Sequence, residues 1–229
     1  MPKITVMLAD DHIVVRQGLR ALLDAETDIR VIGEADDGRQ AIRMAKRLQP
    51  DVVVMDIGMP LLNGLEATRQ ITRECPRSNV LILSSYCDDE YVQQLTDAGA
   101  IGYLITQTAS QDLVIAIREA KKGNAFFSPA ISRRLLEHYR QAATKGEPVR
   151  KGSRRLTTRE MEVLQLVAEG HANRQIAAKL LISIKTVEKH RQQLMNKLEI
   201  HEVAGLTRYA ITRGIIENPK SIHKDPPQH

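Results

Sequence analysis

This sequence predicts an α/β fold, a five-stranded doubly wound parallel sheet, followed by a smaller all-α domain. Apolar runs with strand and helix periods alternate five times across the first 125 residues. After a stretch broken by Gly146, Pro148 and Gly152, only helical periods remain. The charge divides at the same place. Residues 1–125 hold 14 Lys and Arg against 18 Asp and Glu, a net of −4, and residues 126–229 hold 19 against 10, a net of +9. Such asymmetry points to two domains with different partners, the basic one facing a polyanion.

The elements follow in order. Ile4–Ala9 reads as a strand and Ile13–Leu23 as a helix. Ile29–Ile32 is a short strand, and the helix Ala41–Leu48 stops before Pro50. Val52–Met55 is fully apolar, as a strand buried on both faces must be. Helical Leu65–Ile71, apolar Val80–Leu83, helical Tyr91–Ala98, apolar Ile101–Ile105 and helical Leu113–Ala120 complete the alternation. Gly33, Gly38, Gly58, Gly64, Gly99, Gly102 and Gly123 fall at the expected joints. Ser128-Pro129 opens a further helix to about Tyr139, and Gln141 to Arg155 reads as a basic linker. Thr157-x-x-Glu160 fits a capping box ahead of the helix Thr158–Glu169. Helices Asn173–Leu180, Ser183–Leu198 and about Glu202–Arg213 follow, with Gly170 and Gly214 placed to end the first and last. The segment from Asn218 on, with three prolines and no apolar period, reads as a frayed tail.

Composition excludes several classes. Hydrophobic residues make up 42% and charged residues 27% of the 229, which argues against wholesale disorder. Aromatics are 3% and Trp is absent, so reading single strands by stacking is disfavoured. The longest apolar run, Leu113 to Ile117, is far short of the ~18 residues of a spanning helix, so no membrane partner is expected. The start lacks a signal-peptide core, which predicts a cytoplasmic protein. Cys75 and Cys87 cannot build a disulfide framework, and both are expected reduced.

The chemistry lies at strand ends. Asp10 and Asp11 follow the first strand and Asp56 follows the third. Open parallel sheets bind ligands at the carboxyl ends of strands flanking a switch in strand order. If these strands are neighbours, three carboxylates crowd one pocket and call for a cation. All-oxygen donors suit Mg²⁺, and a carboxylate facing a phosphoryl group can be its acceptor.

These residues, with Met55-Asp56-Ile57-Gly58-Met59-Pro60, Gly64, Leu83-Ser84-Ser85 and Gly99-Ala100-Ile101-Gly102-Tyr103-Leu104, make residues 3–121 resemble a bacterial response-regulator receiver domain. The resemblance implies a flavodoxin-like fold with Asp56 as phosphoacceptor. It implies Mg²⁺ on Asp11, Asp56 and the Gly58 carbonyl, with Asp10 acting through water, and Ser84 and Tyr103 as the switch pair. One departure stands out. Receivers carry a Lys where this chain has Thr106, followed by Gln107, Thr108 and Ala109. A missing charge-assisted contact of about 1.5–3 kcal/mol predicts weakened phosphoryl-dependent switching, the alternative being near-normal switching aided by Gln107 or Thr106.

In the second half, Val187, Leu194 and Leu198 share one face of a helix, with Lys185, Lys189, Gln192 and Asn196 about opposite. A short turn joins this helix to Asn173–Leu180, which makes the pair a helix-turn-helix candidate. The string Leu156-Thr157-x-Arg159-Glu160-x-Glu162-Val163-Leu164, then Gly170, Asn173, Ile176-Ala177, Leu180, Ser183, Lys185-Thr186-Val187, His190, Lys197-Leu198 and Leu206, resembles the LuxR-type DNA-binding domain. Ala172 stands where Ser is usual, at an entry that Asn173 is expected to cap. A receiver joined to this domain is the NarL/FixJ architecture. It implies Glu188, Lys189 and Gln192 on bases, with Lys185, Thr186 and Arg191 on phosphates. His190 is expected packed and hydrogen-bonded, with Val203 and Tyr209 at a dimer seam.

The expected organisation is a receiver at 1–124, a helix and basic linker at 125–155, the LuxR-type domain at 156–215 and a disordered tail at 216–229. The expected function is a non-enzymatic DNA-binding transcriptional regulator, gated by phosphorylation of Asp56. Its expected partners are double-stranded DNA, a sensor histidine kinase, RNA polymerase and a second copy of itself on DNA. A phosphorylation-independent regulator is the alternative that Thr106 raises. A phosphohydrolase is disfavoured, because Gly58 stands where its acid/base Asp would be.

Overall fold

The structure is a computed structural model that describes residues 2–84, 89–106, 109–129, 131–133, 156–213 and 215–216. It divides into two compact units, residues 1–153 and 154–229.

The first unit is a parallel sheet in the order β2-β1-β3-β4-β5-β6. Its strands are β1 (Ile4–Ala9), β2 (Ile29–Ala35), β3 (Val52–Met55), β4 (Asn79–Ser84), β5 (Gly102–Ile105) and β6 (Phe126–Phe127). Five helices alternate with the first five strands: α1 (Ile13–Asp24), α2 (Gly38–Leu48), α3 (Gly64–Glu74), α4 (Asp89–Asp97) and α5 (Ala109–Lys121). One sheet face packs Met7, Val53 and Ile82 with Ile42 and Ala45 of α2, Leu65 and Ile71 of α3, and Val92 and Leu95 of α4. The other packs Val6, Leu8 and Val54 with Leu23 of α1 and Leu113 and Ile117 of α5. Each such side chain, once buried, stabilises by roughly 1.5–3 kcal/mol.

Three departures from the sequence reading have physical causes. The sheet has six strands, not five: β6 pairs with β5 through Gly102↔Phe126 and Tyr103↔Phe127. Two residues are too few to show a period. Gly102 makes this approach possible, since a Cβ there would lie 2.4 Å from the Phe126 carbonyl oxygen. The core of the unit therefore runs past residue 124. Ile131, fully buried, joins the same cluster as Tyr103, and the Ser128 N–H donates to the Tyr103 carbonyl at 3.0 Å.

The second strand runs on to Ala35 because a register shift lets Gly33 pair with Met7 beyond Val31. Among the joint glycines, only Gly99 and Gly123 adopt positive φ. Gly64 serves by close approach: a Cβ would lie 1.9 Å from the Asp56 carbonyl oxygen. The expected helix to Tyr139, the linker, Gly214 and the tail from 217 lie outside the described residues, apart from a helical turn at 129 and 131–133.

The second unit holds α6 (Thr158–Ala168), α7 (Asn173–Leu180), α8 (Ile184–Leu198) and α9 (Val203–Thr212). Val163, Leu164 and Leu166 of α6 form its core with Ile176 and Leu180 of α7, Val187 and Leu194 of α8, and Leu206 and Ala210 of α9. Thr157 Oγ1 accepts from the Glu160 N–H, and the Glu160 carboxylate accepts from the Thr157 N–H at 2.7 Å, which closes the expected capping box. Gly170 follows α6 at φ 87, the left-handed turn expected of it.

Candidate functional site

The strand order brings β1 beside β3, at the point where the chain direction across the sheet reverses. Asp10 continues β1 through an N–H to the Ala35 carbonyl at 3.0 Å, and the Asp56 N–H donates to the Ala9 carbonyl at 2.8 Å. The carboxylates so placed share one pocket. Donor atoms of Asp10, Asp11, His12 and Asp56 all lie within 4.8 Å of one another.

Asp56 is held from below. The Gly58 N–H donates to its Oδ2 at 2.9 Å, and the Gly64 N–H, where no Cβ fits, donates to the Ile57 carbonyl at 2.9 Å. Burial and the neighbouring Asp10 push the Asp56 carboxyl up to about 7. Asp10 is anchored by the His12 N–H on its Oδ1 at 2.7 Å and by Arg16 Nη1 on its backbone carbonyl at 2.5 Å. Arg16 spends its Nε on Glu34, so this cation is tied behind the pocket.

His12 is a site residue that sequence reasoning missed. Its Nδ1 lies 2.9 Å from Asp11 Oδ1 and 3.3 Å from Asp10 Oδ1. Burial would lower its pKa, but Asp11 and Asp10 outweigh that and raise it. The signal available was its place directly after the acidic pair. Three carboxylates in such a pocket fit a hard divalent cation. Gly58 enters the geometry through its amide, and its carbonyl as a ligand rests on the resemblance alone.

Ser84 ends β4 fully buried, and Tyr103 lies in β5 at 1% exposure. Tyr103 is not at the sheet edge, because β6 covers it. Thr106 is exposed, one residue past β5. Ser85 and Gln107 lie outside the described residues.

In the second unit Lys185, Glu188, Lys189 and Gln192 are exposed along α8, opposite buried Val187 and Leu194. Ser183 caps the helix. Its Oγ accepts from the Thr186 N–H at 3.0 Å and lies 2.8 Å from Thr186 Oγ1. Arg191 is half-buried, with Nη1 donating to Asn173 Oδ1 at 2.5 Å. Asn173 therefore does not cap α7. Ala172 holds that position, and its N–H is met by the Gln175 side chain at 2.8 Å.

His190 is packed as expected, but its Nδ1 is buried with no partner among the described residues. Beneath the helix pair, buried Glu160 accepts from Lys197 Nζ at 2.6 Å and buried Glu162 from Arg159 Nη1 at 2.8 Å. Burial opposes ionisation of Glu160, but Lys197 and the Thr157 cap hold its carboxyl below the usual range. Val203 is 48% exposed at the start of α9, and Tyr209 is half-buried with the Arg213 guanidinium 5.7 Å from its ring centroid.

A parallel sheet with clustered strand-end carboxylates, joined in one chain to a helix-turn-helix unit, is the arrangement of a response regulator with a DNA-binding output domain. Comparison with known proteins agrees. Residues 6–118 match the family described as response regulator receiver domain, and residues 154–210 match bacterial regulatory proteins, luxR family. The chain belongs to this family of two-component response regulators with a LuxR-type DNA-binding domain. It is 39% identical over 207 residues to the transcriptional regulatory protein LiaR of Bacillus subtilis, covering 90% of this chain and 96% of LiaR. It is 35% identical over 214 residues to the response regulator protein VraR of Staphylococcus aureus, covering 93% and 99%. Among solved structures, RcsB of Salmonella typhimurium aligns at TM-score 0.58 and 29% identity, covering 93% of this chain and 99% of that one. A complex of RcsB with DNA aligns at TM-score 0.56 and 28% identity, covering 92% and 98%.

Proposed function

We propose that the chain takes a phosphoryl group on Asp56 from a sensor histidine kinase and thereby controls its own dimerisation and promoter binding. The observation that carries this is the meeting of Asp56 with Asp10 and Asp11 at the ends of β3 and β1. In the transfer, an ionised Asp56 oxygen forms the new O–P bond, the donor's P–N bond breaks, and the leaving imidazole takes up a proton. The Gly58 N–H on Oδ2 turns the carboxylate so that Oδ1 attacks. Asp10, Asp11 and Asp56 would hold Mg²⁺, which when bound would neutralise charge on the transferring phosphoryl group.

The Ser84 hydroxyl would turn to the new phosphoryl oxygens, with Tyr103 following. No Lys stands at Thr106 to take one of those oxygens, so Ser84 carries more of the coupling. In the second unit Glu188, Lys189 and Gln192 would face bases, and Lys185, Thr186 and Arg191 phosphates, consistent with the net +9 of residues 126–229. A receiver that extends past 124 through β6 and Ile131, a LuxR-type domain at 156–215, a tail at 216–229, a cytoplasmic location and contact with RNA polymerase complete the reading. No helix of the described residues is long and apolar enough to cross a membrane.

The test is intact mass after incubation with acetyl phosphate and Mg²⁺. Wild type should gain one phosphoryl group and shift towards dimer. Asp56→Asn should gain none while keeping basal DNA binding. Labelling that persists in Asp56→Asn would sink the assignment.

A further inference from the structure

Two apolar side chains at the mouth of the helix-turn-helix have no role in the core of their unit. Leu181 follows α7 with φ 53 and is 90% exposed, and Ile184, the first residue of α8, is 45% exposed. A left-handed backbone disfavours a branched side chain, and burial returns nothing to Leu181 here. Both line one shallow groove with Ala177, Ala178 and Arg174. Its wall is thus mostly apolar, with a single guanidinium among the lining side chains.

The groove is continuous with the face assigned to DNA. Ser183, which caps α8, also lines it, and Ile184 stands one turn before Glu188 on the same flank of the helix. When such a pair docks on DNA, the first residues of the second helix meet base edges while the first helix crosses the backbone. That places Ile184 at the bases and Arg174, the second residue of α7, beside a phosphate. Among base edges, the major groove offers an apolar side chain one group to bury, the C5 methyl of thymine. The ends of Glu188, Lys189 and Gln192 suit the polar groups of base edges rather than that methyl.

We propose that Ile184 is a specificity-determining residue that packs on a thymine methyl in each half-site, with Leu181 shielding the contact from water. This rests on the DNA-binding reading above and adds to it the base that an apolar side chain selects.

The experiment uses the full chain and a duplex enriched by it from a random library. Each thymine is replaced in turn by uracil, which differs only in the methyl. Wild type should lose about fourfold in affinity at one thymine per half-site, the worth of burying one methyl group. Ile184→Ala should bind the thymine duplex correspondingly more weakly and be indifferent to uracil at that position. Ile184→Val should retain part of the penalty. Because Ile184 is exposed, both variants should keep the wild-type circular dichroism. If every uracil penalty is the same in wild type and Ile184→Ala, the groove serves a protein or a second copy, and the proposal is overturned. A chain that enriches no duplex at all overturns the DNA-binding reading itself, a different and separately recognisable result.

Discussion

Consider Asp56→Asn in the absence of divalent cations. In the wild type, burial and the Asp10 carboxylate push the Asp56 carboxyl from 3.8 to about 7. The folded protein therefore keeps a proton that the unfolded chain has already lost. Between these two values the native state binds more protons, so stability falls as pH rises. The gap of about 3 pH units, at about 1.36 kcal/mol per unit, corresponds to about 4 kcal/mol once Asp56 is ionised. About 3 kcal/mol of that falls between pH 5 and pH 8.

Urea unfolding of the full chain in EDTA, followed by circular dichroism across that range, reads the effect. The receiver transition of the wild type should move to lower urea as pH rises, whereas Asp56→Asn should lack this component. Millimolar Mg²⁺ should flatten the wild-type profile, because a cation then replaces the proton. Parallel wild-type and Asp56→Asn profiles in EDTA would refute the reasoning, since the fold would then not hold a proton on Asp56.

Thr106→Lys should raise the phosphorylation-dependent gain in DNA affinity by up to the ~1–3 kcal/mol of typical allosteric coupling, measured by titration with and without acetyl phosphate; an unchanged gain would make the Lys dispensable here. Lys197→Ala leaves the buried Glu160 carboxylate with only its cap and should destabilise the second unit by about 1–3 kcal/mol in urea. Lys189→Ala should cost ~1–3 kcal/mol at a cognate duplex only. Lys185→Ala should weaken all duplexes alike and lower the salt slope, and a selective loss here with a uniform loss in Lys189→Ala would reverse these roles.

The central sheet was legible because most of its strands hold short apolar runs such as Val52–Met55, and the site was legible because aspartates stand directly after two of the strands. What escaped reading depends on distant partners. Phe126–Phe127 becomes a strand only because Gly102, two dozen residues earlier, lacks a Cβ. Gly33 reads as a turn residue, yet a register shift carries pairing through it. Asn173 looks like a cap, but its Oδ1 is taken by Arg191, eighteen residues on. Glu160 reads as a capping-box acid, and nothing local in the sequence marks Glu160 or Glu162 as buried. They are buried because Lys197 and Arg159 neutralise them.

The short sixth strand also decides where this chain can be cut and grafted. A sensor module ended at residue 124 would leave Tyr103 without the Phe127 backbone beside it and would remove Ile131, which is fully buried in the same core. Chimaeras that exchange output modules should therefore carry the donor receiver through at least residue 133, and their junctions belong beyond that helical turn. The same geometry ties the exit of the chain to β5. The first segment leading towards the output module is hydrogen-bonded to the backbone of the residue whose ring is expected to move. A transplanted receiver that kept its pocket but lost this seam would keep the carboxylates of Asp10, Asp11 and Asp56 and lose the backbone partner of Tyr103.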